Sequence, residues 1–325
     1  MRKNQQTVRN LGELYRCPEL YSSPDMFSPP SERLGHVIRF ELTMGCSWGR
    51  CTFCGGYDGI KHAVKSPKEY MRHVKQVWKM IGKGTKMARS LQRIFVGGGN
   101  ALCVDGETLR KLLDFTIDAF EEHTGYSPRR LAMYGRTADF IKLGEEGLHR
   151  LRPVMNLVYW GVESGSDDML AYVNKGCTNA EMEVAARILR RAGIDLSIMI
   201  MPGLGGMKYY RQHVEGTAAL LGVIRPRFIT FMGVNAAARS AYARKMQHER
   251  EADENRPLTP KETATQMADI IEQMPNFDTK VGCFDRRVDQ VGCNPVIFGS
   301  RRLYFTSDKS QLVRELRHCV RHQMN

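Results

Sequence analysis

Three cysteines crowd into one short stretch, Cys46, Cys51 and Cys54, with the spacing C-x4-C-x2-C. Thiolates are soft ligands that suit zinc or iron–sulfur clusters, and three in one loop can grip a single metal centre. A structural zinc site normally has four protein ligands. No fourth Cys or His stands at close spacing, and His62 is the nearest candidate. Two readings stay open on spacing alone. One is zinc with a distant fourth ligand. The other is a cubane cluster held by three cysteines, whose remaining iron is open to a small chelating molecule.

The chain has 325 residues and nine cysteines, an odd number. The N-terminal residues 1–16 are polar, with no apolar leader segment. A disulfide framework is therefore not expected, and a cytoplasmic location is the default. No apolar run approaches the length of a membrane span. Cys17, Cys103, Cys177, Cys283, Cys293 and Cys319 are dispersed. Cys283 and Cys293 could join Cys319 or Cys177 at a second centre, although such cysteines more often serve as small buried hydrophobes. The formal charge of +13 attracts polyanions, so RNA, DNA or a phosphorylated substrate is admitted. Lys and Arg are spread along the chain with no long basic run, which is equally the pattern of a solvated surface.

The elements that must position the cysteines alternate between two periods. Short apolar runs at 37–42, 93–96, 131–134, 156–161, 196–201 and 228–233 read as strands buried on both faces. Between them lie helix signals. Ser66, Pro67 and Glu69 make a capping box with Pro at the first helical position, and Met71, Val74, Trp78 and Ile81 share one face. Thr178 and Glu181 make another box, with Gly193 as the C-terminal cap. Segments 106–120, 145–151 and 207–223 are further helix candidates, and Thr259 to Glu262 opens one more. Strands alternating with helices imply an α/β fold with a parallel sheet, either open or a partial (β/α)6 barrel. Both place ligands at the carboxyl ends of the strands. Residues 1–35 read as an N-terminal extension, 36–238 as the core and 239–325 as a C-terminal extension. Its basic tail from Lys280 is expected to be less regular and to cover the open side of a partial barrel.

The cluster loop resembles that of the radical S-adenosylmethionine (SAM) superfamily, usually C-x3-C-x2-C with an aromatic before the last cysteine; Phe53 matches that aromatic. The x4 spacing and the preceding Pro29-Pro30-Ser31-Glu32 are similar to a short stand-alone branch, and the likeness runs from about Ser28 to Met232. It implies a TIM-type partial barrel of parallel strands with an α-rich C-terminal extension. It also implies a [4Fe–4S] cluster on Cys46, Cys51 and Cys54, and SAM on the open iron. The reduced cluster would cleave SAM to a 5′-deoxyadenosyl radical that takes hydrogen from a small-molecule or peptide substrate, with flavodoxin or ferredoxin as a suitable electron donor.

The same resemblance assigns site residues. Gly97, Gly98, Gly99 and Asn100 match the glycine motif that contacts the methionine amino group of SAM; by itself, a tight turn explains them equally well. Glu163, after the fourth predicted strand, stands where related enzymes carry Glu or Gln near the methionine and ribose; its structural role would be a strand-end cap or a salt bridge. Lys175 matches an arginine that pairs with the SAM carboxylate in oxygen-independent coproporphyrinogen oxidases, as a point charge without the bidentate fork; a solvated loop lysine explains it equally well. Those enzymes have a glutamate near the end of the third strand, where this chain has Tyr134-Gly135-Arg136. Arg136 is therefore a candidate for cofactor or substrate, and porphyrinogen chemistry does not carry over. Ile198 and Ile200 fit either an adenine wall or ordinary core. Tyr134, Cys103 and Cys177 are conceivable hydrogen or proton donors. Three function classes remain: a radical SAM enzyme on a small molecule or peptide, one modifying RNA, and a zinc-stabilised nucleic-acid-binding protein.

Overall fold

A computed structural model describes residues 8–22, 28–33, 35–57, 59–234, 236, 238, 240–284 and 303–322. Its strands are β1 (Val37–Gly45), β2 (Ala63–Val64), β3 (Arg93–Gly99), β4 (Arg130–Gly135), β5 (Leu157–Glu163), β6 (Asp195–Ile200), β7 (Phe228–Met232), β8 (Lys280–Phe284) and β9 (Leu303–Tyr304). Its α-helices are α1 (Leu11–Tyr15), α2 (Pro67–Ile81), α3 (Lys86–Ser90), α4 (Gly106–Thr124), α5 (Thr137–Leu151), α6 (Asp167–Tyr172), α7 (Asn179–Arg191), α8 (Tyr210–Ile224), α9 (Ala241–Glu251), α10 (Pro260–Gln273) and α11 (Phe305–His322). All six strands expected from the sequence form, and their pairings with one another are parallel wherever the register is defined. The chain divides into two compact units: Met1–Gly49, Gly59–Tyr159 and Ile188–Asp195 in the first, and Arg50–Asp58, Trp160–Arg187 and Leu196–Asn325 in the second.

In the first unit β1 pairs antiparallel with β2 and parallel with β3, which pairs parallel with β4. Strand β1 is buried along nearly its whole length. Phe40 turns to α2, its ring 6.3 Å from that of Trp78. The alternate residues are charged and equally hidden. The Arg39 guanidinium lies 3.6 Å from the centre of the Tyr15 ring, and Glu41 pairs with Lys65. Helix α2 begins at the expected capping box, with Ser66 and Glu69 bonding each other's backbone. Helix α5 is longer than the expected 145–151. Gly144, at φ +64°, interrupts it, so the periodicity restarts there. The Pro-Pro-Ser-Glu stretch ends in a 3-10 turn, Pro30–Glu32. Its Glu32 is fully buried and binds Arg130, Arg93 and the Tyr159 hydroxyl, one from each of β4, β3 and β5.

The second unit holds the end of β5 and most of β6. β6 is parallel to β7 and β7 to β8, and β8 is antiparallel to β9. β8 is an addition to the sequence reading, since residues 280–284 fall in the tail expected to be irregular. Helix α10 has the capping box expected at Thr259 and Glu262. Helix α11 lies along it, with Arg317 bridging Asp269 at 2.9 Å and also Glu272. Cys283 is buried in β8. Cys293 and the side chain of Cys319 lie outside the described residues. Among the described residues no helix is long and apolar enough to cross a membrane.

Candidate functional site

In the first unit, Cys46 directly follows β1. The next residue, Ser47, is tied to Asn100. Its N–H donates to Asn100 Oδ1 at 2.9 Å, and Asn100 Nδ2 donates to Ser47 Oγ at 2.8 Å. Asn100 Nδ2 also donates to Asp139 Oδ2 at 2.8 Å, an oxygen that accepts the Arg136 N–H at 2.9 Å. Asn100 thus joins the start of the cysteine loop, the end of β3 and the first turn of α5. Burial raises the Asp139 pKa, and the Asn100 bond opposes the rise. Arg136 is close by, its guanidinium 5.4 Å from the centre of the Trp48 ring.

Gly97, Gly98 and Gly99 lie within β3 rather than in a turn beyond it. A Cβ on Gly98, which has φ +92°, would land 1.8 Å from the Thr43 carbonyl oxygen; one on Gly99 would land 1.9 Å from that of Gly45. The pairing of β1 with β3 shifts register between Glu41 and Gly45. The last two glycines therefore let the bulged end of β1 approach β3. His62 Nδ1 donates to the Gly45 carbonyl at 3.4 Å, leaving Nε2 3.8 Å from the Cys103 thiol. Burial, helped by the charge of Asp139, pushes the Cys103 pKa up to about 11.

In the second unit, the loop carrying Cys51 and Cys54 is laid against the turn after α6. Thr52 N–H donates to the Val173 carbonyl at 3.0 Å, and Asn174 Nδ2 donates to the Arg50 carbonyl at 3.1 Å. The Cys51 thiol faces the Lys175 carbonyl at 4.0 Å. Phe53 packs against the apolar cluster that contains Met169, Val173, Met201 and Leu204, while Ile198 and Ile200 are wholly buried. Lys175 Nζ sits 2.8 Å from Glu163 Oε1, with side chains only 14% and 10% exposed. It also lies 5.9 Å from the centre of the Phe53 ring. Burial alone would lower the Lys175 pKa. The charge of Glu163, then Cys51 and Cys177, outweighs burial and holds it raised.

Glu163 has φ +63°, and Ser164 N–H donates to the Val162 carbonyl at 2.8 Å. This is a γ-turn of the positive-φ kind, rare for a residue with a side chain. Such backbone costs on the order of 1–3 kcal/mol and persists only where its surroundings impose it, most often at functional sites. Met201 N–H holds the Glu163 carbonyl at 3.1 Å. A Cβ on Gly161 would fall 2.4 Å from Glu163 Oε1 and 3.1 Å from Lys175 Nζ, so a glycine there leaves the ion pair its space.

Two sets of predicted residues are thus brought together: Gly97 to Gly99, Asn100 and Arg136 around the start of the cysteine loop, and Phe53, Glu163 and Lys175 around Cys51. Sequence reasoning did not single out Gly161, Ser164 or Asp139. Gly161 carried a signal, a glycine two residues before the acidic strand end; the other two look like ordinary polar positions.

Three cysteine thiols are the donor chemistry that an iron–sulfur cluster takes. Cys46, Cys51 and Cys54 are each of intermediate burial, and Lys175 lies close enough to Cys51 to feel its charge. Among the described residues no three His, Cys, Asp or Glu side chains close on a position for a single metal ion.

Comparison with known proteins agrees with this chemistry. The model of the radical SAM superfamily matches residues 40–217, more than half of the chain. No curated protein matches. Among solved structures, coproporphyrinogen III oxidase from Escherichia coli, a radical SAM enzyme, has 14% identity and TM-score 0.51 over 73% of this chain and 51% of its own. That likeness shows the fold, an α/β partial TIM barrel. The cobalamin-dependent SAM radical enzyme OxsB has 16% identity and TM-score 0.49, covering 71% of this chain and 40% of its own. The Elp3 protein of the archaeon Methanocaldococcus infernus has 13% identity and TM-score 0.47, covering 77% and 56%. The chain spans only about two fifths to somewhat over half the length of these proteins.

Proposed function

Because the chain belongs to the radical SAM superfamily, and is thus an enzyme that uses a [4Fe–4S] cluster and SAM, we propose that Cys46, Cys51 and Cys54 hold the cluster and that Glu163 and Lys175 bind SAM beside it. The observation that carries this reading is the buried Glu163–Lys175 pair, built on a strained turn in the same unit as Cys51, Cys54 and Phe53. A [4Fe–4S] cluster held by Cys46, Cys51 and Cys54 would supply the electron for reductive cleavage of SAM, and with it hydrogen-atom abstraction from a substrate. The residues of the chain do the holding. Glu163 accepts hydrogen bonds from the cofactor's ammonium or ribose hydroxyls. Lys175 offers a positive charge to its carboxylate. Phe53 closes the apolar side of the loop. Gly97, Gly98, Gly99 and Asn100 line the methionine end, and the Arg136 guanidinium is directed to cofactor or substrate.

The substrate on this reading is a small molecule or peptide, and the electron donor a flavodoxin or ferredoxin. Residues 36–238 form the catalytic core, followed by an extension over 239–325. A cytoplasmic location is part of the same reading. The +13 charge favours one second reading, an RNA-modifying enzyme of the same class, which salt-sensitive RNA binding would reveal. Membership of the superfamily sets aside the zinc-stabilised binding protein.

The test is anaerobic reconstitution with iron and sulfide, reduction with dithionite, and assay of 5′-deoxyadenosine from SAM. The wild type is run beside a variant with Cys46, Cys51 and Cys54 all changed to alanine. Cleavage that the variant loses supports the assignment. A variant that keeps the cluster and cleaves SAM refutes the ligand set.

A further inference from the structure

Strand β5 ends in a strained turn that one face of α8 holds in place. Three residues of that helix, at relative spacings of three and four, meet the turn. A Cβ on Gly165 would fall 2.1 Å from the Gly216 carbonyl oxygen, so the two backbones touch. Thr217 Oγ1 accepts the Gly165 N–H at 3.0 Å. His213 Nδ1 lies 2.7 Å from Ser164 Oγ, which in turn accepts the Ser166 N–H at 3.0 Å. His213, Thr217 and Ser164 are all wholly buried. Burial pushes the His213 pKa down to about 4, so the imidazole is neutral at ordinary pH, with one nitrogen free to accept a hydrogen bond. None of these contacts touches the Glu163 carboxylate itself. They bear on the residue that follows it, whose N–H closes the γ-turn.

We propose that His213 is a positioning residue for SAM binding: through Ser164 it holds Glu163 in its positive-φ turn, with the carboxylate aimed at Lys175 and the cofactor site. The inference rests on the reading that Glu163 binds SAM. Without the His213 bond, the Ser164 hydroxyl keeps only the Ser166 N–H as partner and is no longer anchored to α8. The turn then relaxes toward the extended backbone that a glutamate prefers. The carboxylate swings with it, and SAM meets a site that it must first reorder.

The experiment uses the reconstituted holoenzyme. SAM affinity is read from the change that SAM titration produces in the electron paramagnetic resonance spectrum of the reduced cluster. The melting temperature and the rate of 5′-deoxyadenosine formation at saturating SAM are measured alongside. His213→Ala and Ser164→Ala should each weaken SAM binding roughly tenfold, the worth of about one hydrogen bond. The saturated rate should stay within about threefold of wild type, the mark of a loss in binding rather than in the chemical step. Adding Ser164→Ala to His213→Ala should cost little beyond His213→Ala alone, because Ser164 acts through that bond, whereas His213 also meets Thr217 Oγ1 at 3.3 Å. His213→Asn, which returns a hydrogen-bonding atom near the Nδ1 position, should recover most of the affinity. If His213→Ala fails to fold, Ser164→Ala and His213→Asn carry the test.

Unchanged affinity in His213→Ala or Ser164→Ala overturns the proposal, as does a double variant whose losses multiply. Glu163→Gln separates the levels. If it weakens SAM while the His213 and Ser164 variants do not, only the positioning role falls. If Glu163→Gln binds SAM like wild type, the reading of Glu163 as a cofactor residue falls, and the inference with it.

Discussion

Replacing Lys175 by methionine keeps the length of the side chain and removes its charge, which leaves the Glu163 carboxylate in a site where it is 10% exposed and has lost its 2.8 Å partner. Removing one member of a buried ion pair costs about 3–5 kcal/mol, because the remaining charge is uncompensated. At about 2–4 °C per kcal/mol for domains of 150–250 residues, melting should fall by roughly 6–20 °C at pH 8. The variant should also respond to pH. A lone buried carboxyl has a folded pKa above its unfolded value of about 4.3. Stability is then greatest when the group is protonated and is lost as pH rises through the folded pKa. The deficit of Lys175→Met against wild type should therefore shrink between pH 8 and pH 5. The wild type has its own signature: the raised Lys175 pKa gives stability that is present below about pH 10 and lost as pH climbs through the folded value. The double variant Glu163→Gln, Lys175→Met should return to within about 1–2 kcal/mol of wild type, since a neutral pair of similar volume carries no buried charge. Calorimetry on the anaerobic protein at pH 5, 6.5 and 8 reads all three forms. A Lys175→Met protein that melts within 2 °C of wild type at every pH would show the pair to be screened by water, and the buried-pair reasoning would fail.

Two further outcomes follow from glycine geometry and thiol burial. Gly98→Ala places a Cβ 1.8 Å from backbone at φ +92°, so it should abolish soluble expression. Gly125→Ala has a similar φ of +87° and open space, so it should cost only about 1 kcal/mol in denaturant unfolding; equal effects would mean that strand contact at Gly98 is unimportant. Cys103, its pKa raised to about 11, should react with iodoacetamide at pH 8 at least tenfold more slowly than an unperturbed thiol and gain reactivity as pH passes 10. Peptide mapping by mass spectrometry would follow it, and fast labelling at pH 8 would contradict the assigned burial.

The parts of the fold legible in the sequence were those whose signals are local. Capping boxes at Ser66 and Thr259 begin helices where expected, and apolar runs mark the six strands to within a few residues. β8 escaped because Lys280-Val281-Gly282-Cys283-Phe284 is short and includes a glycine; only its pairing with β7 makes it a strand. Gly144 concealed the first half of α5 for the same reason, a local break inside a tertiary element. The candidate site divides along similar lines. Cys46, Cys51 and Cys54 declare themselves by spacing, Glu163 by its place at a strand end, and Lys175 only by the family resemblance. Nothing local says that Glu163 and Lys175 bond each other, that Asn100 ties down Ser47, or that His213, half a hundred residues on, reaches Ser164. Such partners are chosen by the approach of distant elements, as at Gly165 and Gly216, where two missing side chains make room.

Glu32 has a consequence for the order in which the first unit is made. During synthesis residues 28–33 leave the ribosome long before Arg93, Arg130 and Tyr159 exist to receive the carboxylate. Glu32 can make all three of its contacts only when β3, β4 and β5 lie side by side. Until it does, Arg93 and Arg130 face each other across the sheet with their charges unanswered, which penalises premature closure of β3 on β4. The turn thus acts as a latch on register: its one carboxylate answers both arginines only where β3 and β4 pair with Arg93 opposite Arg130.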